Sequence, residues 1–524
     1  MGLLGFIQKS WKTLRQAIKA LLDLNGTFEA LITRIHQGPS LPCPNPTTSY
    51  WLEDPPFPEL VNIQSEKLPE STDIVIIGSG ITAAAAAHSL LDESSRKGQP
   101  ITITVLEARD ICSGATGRNG GHMKCSPHET FERLETKFGT ERAVALTRFQ
   151  LSHLQHLTEF CESKGYQKAE CRKVETVDLF FDQKTFDQAC HTLSRLRTLL
   201  PELEARILQA EQARQEFAVS GQVIGAITYQ AGALWPYRFV TSLWNDLLHD
   251  YPKHITVETN TPASSIDKQG TTYKVHTNRG AVKCKHIVHA TNAWMGHLLP
   301  QLNKKATGMR AHMSAQNPGD QHSYANFHGD RSWSIIHGPD DFDYMTQRPG
   351  PNGTGDIMLG GGAFRSKNHG LDQIGVWDDS RRDMFTSAYL AGILPIIFSQ
   401  EKQQRQAGTH SRYLQQHWSG IISLTGDSLP FVGKLDSCVC AQNSGDAQGD
   451  AAEWIAAGYN GEGMVFAWLC GTALGLVIMG SEHEDIPASP GFPGGTLYEW
   501  FPKELLLDRE RFNRIDVLDL ADQL

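Results

Sequence analysis

The stretch from Asp73 to Glu107 constrains this 524-residue chain most. DIVII (73–77) is a short apolar, β-branched run, read as a buried strand. GSGITA (78–83) comes next and leads into AAAAHSLL, an alanine-rich helix, and ITITVLE (101–107) is the next strand. Strand, glycine turn, helix and strand in that order open a parallel sheet with a right-handed crossover. The turn is G-x-G-x-x-A. Gly78 makes the bend, Gly80 lets backbone approach a pyrophosphate, and Ala83 permits close packing of helix on strand. Ile81 and Thr82 start the helix, whose free N–H groups and positive dipole end suit phosphate. Glu107 ends the second strand, where a carboxylate can accept from a ribose diol; the polar insert DESSRKGQP (92–100) lengthens the spacing beyond the usual ~20 residues. These features together predict a dinucleotide site.

The residues beyond Glu107 choose the dinucleotide. After Ala108 and Arg109 comes SGATGRNGGH (113–122). A nicotinamide enzyme has no general need for glycine-rich backbone here. FAD bound in extended form does, because the chain must run along the pyrophosphate and ribityl groups, and close approach excludes side chains. Ser113, Gly114, Ala115, Thr116, Gly117, Asn119, Gly120 and Gly121 are therefore expected cofactor contacts, with Arg118 offsetting phosphate charge and Asn119 bonding locally. A net charge of −10 excludes a nucleic-acid partner, which needs a basic field. Ten scattered cysteines, with Cys438 and Cys440 as a lone C-x-C, predict no metal site and reduced thiols in an intracellular compartment. Cytoplasm is the leading expectation, with mitochondrial or membrane-associated placement as alternatives.

Residues 1–22 carry four basic residues and no acid, with apolar positions at steps of three and four. This amphipathic helix reads as a transit peptide, an interfacial membrane helix, a partner-binding helix, or a helix packed on its own domain. Seven prolines between 39 and 60 make an extended lead-in. Residues 127–164 and 185–218 read as mostly helical, 174–181 as a strand, and 220–410 as strands punctuated by turns, the pattern of an antiparallel sheet. The uncharged run 463–480 reads as a buried helix, and 503–524 as a surface helix. The expected fold is mixed α/β: a Rossmann-like FAD-binding domain with a parallel sheet, and an antiparallel-sheet substrate domain.

LEARDICSGATGRNGGH (106–122) resembles the FAD loop of the D-amino-acid oxidase, glycine oxidase and sarcosine oxidase superfamily. It is most similar to the branch of gamma-glutamylputrescine oxidase and its fungal relatives. NPTTSYWL (45–52), AGALWPYRFV (231–240), HIVHATNAWMGHLLP (286–300), DYMTQRP with DIMLGGG, WSGIISLTGDSLPFVG (418–433) and AAGYNGEGM (456–464) continue the resemblance in order. The resemblance covers roughly residues 45–480 and implies an FAD domain assembled from 71–172, 232–304 and 415–485 and a substrate domain from 173–231 and 305–414; the amphipathic helix is expected over 1–38, the lead-in over 39–70 and a tail over 486–524. It implies oxidation of an amine or amino-acid C–N bond to an imine by hydride transfer to the flavin, with oxygen as acceptor. A dehydrogenase with another acceptor, or a flavin-binding protein with a degraded substrate site, are the alternatives. Gly461, Gly463 and Met464 would place a helix start at the flavin, and Ala263 would contact adenine. Gly420 stands where relatives carry a tethering cysteine, so the FAD is expected to be non-covalent, with His122 a polar neighbour of the ring or a histidyl link. Met358 stands where relatives place a lysine. Arg310, Arg348 and Tyr344 are the substrate-side candidates. No general base is apparent.

Overall fold

The computed structural model describes residues 25–318, 329–350, 355–398, 414–435, 439 and 451–522. Its first layer is a six-stranded sheet ordered Phe431–Lys434, Ala452–Ala457, His286–His289, β1 (Ile74–Ile77), β2 (Ile103–Leu106), Ile255–Glu258. Every neighbour pair is parallel except the first, which is antiparallel. All four residues of β1 and of β2 are buried, as continuous apolar runs covered on both faces must be.

Helix α1 (Ile81–Lys97) comes after β1 and is closed by Gly98 in the left-handed conformation. Its alanines cost nothing in side-chain entropy and allow close neighbours. That neighbour is a helix from the far end of the chain. The uncharged run becomes a 3-10 turn, Gly463–Val465, and then the helix Ala467–Ile478, buried as expected. A Cβ on Gly471 would lie 2.6 Å from the Thr82 carbonyl oxygen, and one on Gly475 would lie 2.5 Å from the Ser89 Cβ. Glycine is what lets the two helices touch.

The second layer is a nine-stranded, mainly antiparallel sheet, built from segments between His122 and Thr425. A small three-stranded sheet, Ala263–Gln269, Thr272–Thr277 and Gly280–Cys284, sits beside the parallel one. The mixed α/β architecture is thus the one the sequence predicts. Residues 127–164 form two helices, α2 (Pro127–Phe138) and α3 (Thr140–Lys164), broken at Gly139 with φ +78°.

Residues 185–218 are mostly helical, as expected, in Gln183–Leu199 and Ala210–Phe217. Between these helices Ala205–Gln209 is a strand paired with Gly225–Ala233, because that ladder leaves an edge that ARILQ satisfies. One expectation is corrected. The tail is not a surface helix. It is a series of short helices, the longest α-helical one Arg509–Arg514, in which Leu505, Leu507, Phe512 and Ile515 are buried, and the Arg511 guanidinium reaches Asp427 at 2.8 Å. Apolar residues too frequent for a single stripe pull the tail onto the parallel sheet, beside Phe431 and Ile455.

Residues 1–22 and the C-x-C cysteines lie outside the described residues. Residues 25–37 are helical and pack Leu31 and Ile35 against Ile374, Val517 and Leu520. Among the described residues no helix is long and apolar enough to cross a membrane, and the eight cysteines are free thiols.

Candidate active site

One cavity of about 640 Å³ runs between the two large sheets. At one end its wall is Gly78, Gly80, Ile81, Thr82, Glu107, Ala108, Arg109 and Ala263; at the other it is His122, Lys124, Glu129, Tyr344 and Phe364. Gly114, Ala115, Thr116, Asn119 and Gly120 line the stretch between them, with Gly461, Gly463 and Met464.

The first end is built by the β1–α1 turn. Gly78 has φ +105°, and a Cβ there would come 2.7 Å from the Ala290 carbonyl oxygen, so only glycine makes this bend. Gly80 caps α1 without a side chain. Of the first-turn N–H groups, that of Ile81 donates to Thr116 Oγ1 (3.1 Å), which ties the glycine loop to the helix. Glu107 accepts from the Ser79 N–H (3.1 Å), the Ser79 hydroxyl (2.7 Å) and the Arg109 N–H (3.0 Å), which fixes its carboxylate at the cavity wall. Ala83 is buried in helix packing and is not on the wall.

The loop 113–122 does two jobs where the sequence predicts one. Gly114 faces open space, with nothing within 4 Å of where a Cβ would stand, and Gly120 also lines the cavity. Ser113, Gly117 and Gly121 are not on the wall. A Cβ on Gly117 would meet the Cys112 carbonyl oxygen at 2.5 Å, and one on Gly121, at φ +65°, the Leu234 carbonyl oxygen at 2.3 Å. These two glycines let the loop pack onto protein. Three successive loop carbonyls are pinned from behind. Trp418 donates to Arg118 O (2.9 Å), Trp51 to Asn119 O (2.5 Å) and Thr346 to Gly120 O (2.9 Å). Asn119 bonds locally, as expected, accepting from the Gly121 N–H at 2.7 Å.

Arg109 and Arg118 reach the cavity wall and share a buried carboxylate. Asp379 is fully buried; it accepts from Arg109 Nη1 at 3.0 Å, lies 3.6 Å from Arg118 Nε, and accepts from the Cys43 thiol at 2.9 Å. Burial brings the Arg118 pKa down to about 10, with Asp379 opposing that fall.

At the other end the Tyr344 phenol donates to the Met313 thioether at 3.2 Å, and burial raises its pKa to about 12. It is a protonated donor with a weak acceptor. The His122 ring is 6.4 Å from that of Tyr344, and its Nε2 is 2.8 Å from Ser332 Oγ. Burial, reinforced by the Lys124 charge, lowers its pKa to about 3, so the imidazole is neutral. Arg310 is on the wall, its Nε donating to Gln373 at 2.9 Å.

Arg348 is corrected out of this group. It is absent from the wall, forks onto Glu170 (2.6 and 3.1 Å), donates to the Tyr50 hydroxyl and stacks 4.3 Å from the Trp235 ring centre. Met358 is buried in the core and also off the wall. The lysine the cavity does contain is Lys124, which the sequence reading missed together with Glu129 and Arg133. Lys124 precedes α2, and Glu129 and Arg133 stand in it among Glu132, Glu135 and Lys137, so in the sequence they resemble a solvated face.

The geometry fits an extended anionic dinucleotide. A helix N-terminus, a fixed carboxylate and two guanidinium groups stand at one end, and side-chain-free backbone leads away from them. A family model described as FAD dependent oxidoreductase (DAO) matches residues 73–475, and the chain belongs to that family. Its cofactor is FAD and it is an enzyme, an FAD-dependent oxidoreductase. It is 21% identical over 438 residues to the probable oxidoreductase OrdL of Rhizobium meliloti, covering 81% of this chain and 88% of that protein. It is 27% identical over 187 residues to a subunit of the anaerobic glycerol-3-phosphate dehydrogenase of Haemophilus influenzae. That match covers 36% of this chain and spans 29% of the length of the relative. The fold is similar to glycine oxidase from Geobacillus kaustophilus, with a TM-score of 0.60 and 14% identity over 84% of this chain and 99% of that one.

Proposed function

We propose that the protein oxidises the C–N bond of an amine or amino acid to an imine, with oxygen as final acceptor. The observation that carries this is the continuous cavity, which joins the dinucleotide end to a substrate face lined by Tyr344, His122 and Arg310. The glycine oxidase likeness and the gamma-glutamylputrescine oxidase-like loop support an amine substrate. When bound, FAD supplies the electron sink, accepting the hydride from the carbon next to nitrogen.

The chain's own residues position and exclude. Segments 71–172, 232–304 and 415–485 hold the cofactor; 173–231 and 305–414 supply strands of the antiparallel sheet, from which Arg310 and Tyr344 face the cavity beside His122. Glu107 holds the ribose, the α1 N-terminus and Arg109 meet the pyrophosphate, and Ala263 meets the adenine. The Gly461–Met464 turn directs N–H groups at the ring edge, where negative charge develops on reduction. Tyr344 donates to the substrate, and Arg310 presents its free guanidinium edge to a carboxylate if the substrate has one. Gly420 is on the wall and none of the described lining residues is a cysteine, so the FAD is held without a thioether.

Anaerobic bleaching of the flavin across a panel of amines and amino acids tests the reading. A substrate that bleaches, with peroxide released on readmitting air, is the expected result. Bleaching followed by reoxidation only through a dye identifies a dehydrogenase. Bleaching by no member of the panel overturns amine oxidation.

A further inference from the structure

The substrate end of the cavity contains a polar cluster that positioning alone does not account for. Helix α2 turns Glu129, Thr130 and Arg133 toward the cavity, and the segment before it adds Lys124 and Ser126. Behind them Asp178, fully buried, accepts from Lys124 Nζ at 2.5 Å and from the Tyr229 hydroxyl at 2.9 Å, and lies 3.1 Å from His128 Nε2. The ligand atoms of His128, Glu129 and Asp178 are all within 4.8 Å of one another.

Two carboxylates this close would ordinarily attract a metal or share a cation. Here Lys124 already fills the cation's place beside Asp178, and its ammonium is engaged there and by Ser334. Glu129 has no ion pair among the described residues, and Ser126 is its side-chain donor. Its carboxylate is exposed, and what it is exposed to is the cavity. Protein encloses that space closely enough for burial to push the Glu129 pKa up, with Asp178 adding to the rise and His128 and Lys124 opposing it. The charged and titratable groups around it are His128 and Arg133 on its own helix, Lys124 before it, Asp178 and Tyr229 from two strands of the antiparallel sheet, and Glu462 from the turn before Ala467–Ile478.

We propose that Glu129 is the catalytic base that takes the proton from the substrate ammonium before the C–N bond is oxidised. The inference rests on the amine-oxidation reading above. In this step the N–H bond of R–NH3+ breaks and an O–H bond forms on the carboxylate, leaving a neutral amine and a carboxylic acid; no electrons are exchanged. The neutral amine carries the lone pair that the departing hydride requires. A carboxyl facing an enclosed cavity, its pKa raised by those surroundings, is a stronger base than one in open solvent. The carboxyl later returns its proton to solvent.

Stopped-flow bleaching of the flavin under anaerobic conditions is the test. A series of amines of different basicity is used, from about pH 5 to about pH 10. In the wild type the limiting rate over the apparent dissociation constant should rise through one pKa common to every amine and fall through that amine's own pKa. E129Q should lose the common rising limb and bleach roughly a hundredfold more slowly. E129D should keep the limb, displaced. A rising limb that moves with the basicity of each amine overturns the proposal, since the amine then arrives already neutral. So does an E129Q profile identical to the wild type. If E129Q fails to fold with flavin, the wild-type series decides alone. Bleaching by no amine overturns the reading beneath the proposal and the proposal with it; it differs from the other failures in that no profile exists.

Discussion

At the scale of single residues, the site depends on one backbone angle and one phenol. Gly78 bends at φ +105° against the Ala290 carbonyl. Gly78→Val adds a β-branched side chain where left-handed geometry alone costs about 1–3 kcal/mol. The turn will open instead and displace the α1 N-terminus. FAD affinity should fall at least about tenfold, read as a lower ratio of flavin to protein absorbance after gel filtration. Tyr344 differs in kind, because among the described residues its hydroxyl has a thioether as its acceptor. Tyr344→Phe removes about one neutral hydrogen bond, roughly 1 kcal/mol. Flavin content should stay unchanged while anaerobic bleaching slows about fivefold. Loss of flavin from this variant would show that the phenol supports the fold rather than the substrate. Acid precipitation should release all the flavin into solution, since Gly420 offers no sulfur.

At the scale of elements, the pairing of α1 with the helix Ala467–Ile478 sets the position of the phosphate end. In an exposed helix, replacing glycine by alanine stabilises by up to about 1 kcal/mol. At Gly475 a Cβ would meet the Ser89 Cβ at 2.5 Å and the Leu90 nitrogen at 3.1 Å, so overpacking dominates. Gly475→Ala should destabilise by about 1–3 kcal/mol, visible as a lower melting temperature. An unchanged or higher temperature would contradict the close packing. Elements of this kind differ in how legible they are in the sequence. The β1–α1–β2 unit is readable because its signals are local: a β-branched run, a glycine turn, an alanine helix. The strand Ala205–Gln209 is not, because ARILQ acquires its conformation from Gly225–Ala233. The pinning of the glycine loop by Trp51, Thr346 and Trp418 joins residues far apart in the chain, and nothing near any of them announces it. Lys124 and Glu129 are hidden for the same reason, since only the fold shows that α2 turns them inward. Arg348 errs in the opposite direction: it lies within the DYMTQRP motif, yet Glu170 and Tyr50 take up its guanidinium.

At the scale of the whole molecule, Asp379 joins three distant segments through Cys43, Arg109 and Arg118. Asp379→Ala leaves two guanidinium groups buried without their carboxylate, and removing one partner of such a group costs about 3–5 kcal/mol. Denaturant unfolding should show a loss of that size, together with weaker flavin retention; Asp379→Asn should recover part of it. The molecule should also be sensitive to acid. His153, His312 and His417 are buried, and burial lowers their pKa values to about 4, 3 and 4. Between those values and about 6.5 the unfolded chain binds protons that the folded chain refuses, so stability rises with pH there and is lost as pH falls. Each imidazole contributes up to about 1.4 kcal/mol per pH unit. The melting temperature should decline steadily below about pH 6.5, and a flat profile to about pH 4 would contradict neutral buried rings. The order of strands in the parallel sheet has a consequence for synthesis. β1 lies between β2 and His286–His289, which in turn pairs with Ala452–Ala457. A ribosome adding about 5–20 residues per second exposes the first of these strands tens of seconds before the last. The sheet at the dinucleotide end therefore cannot close until the last of these strands has emerged, so cofactor capture is a late event in the folding of the chain.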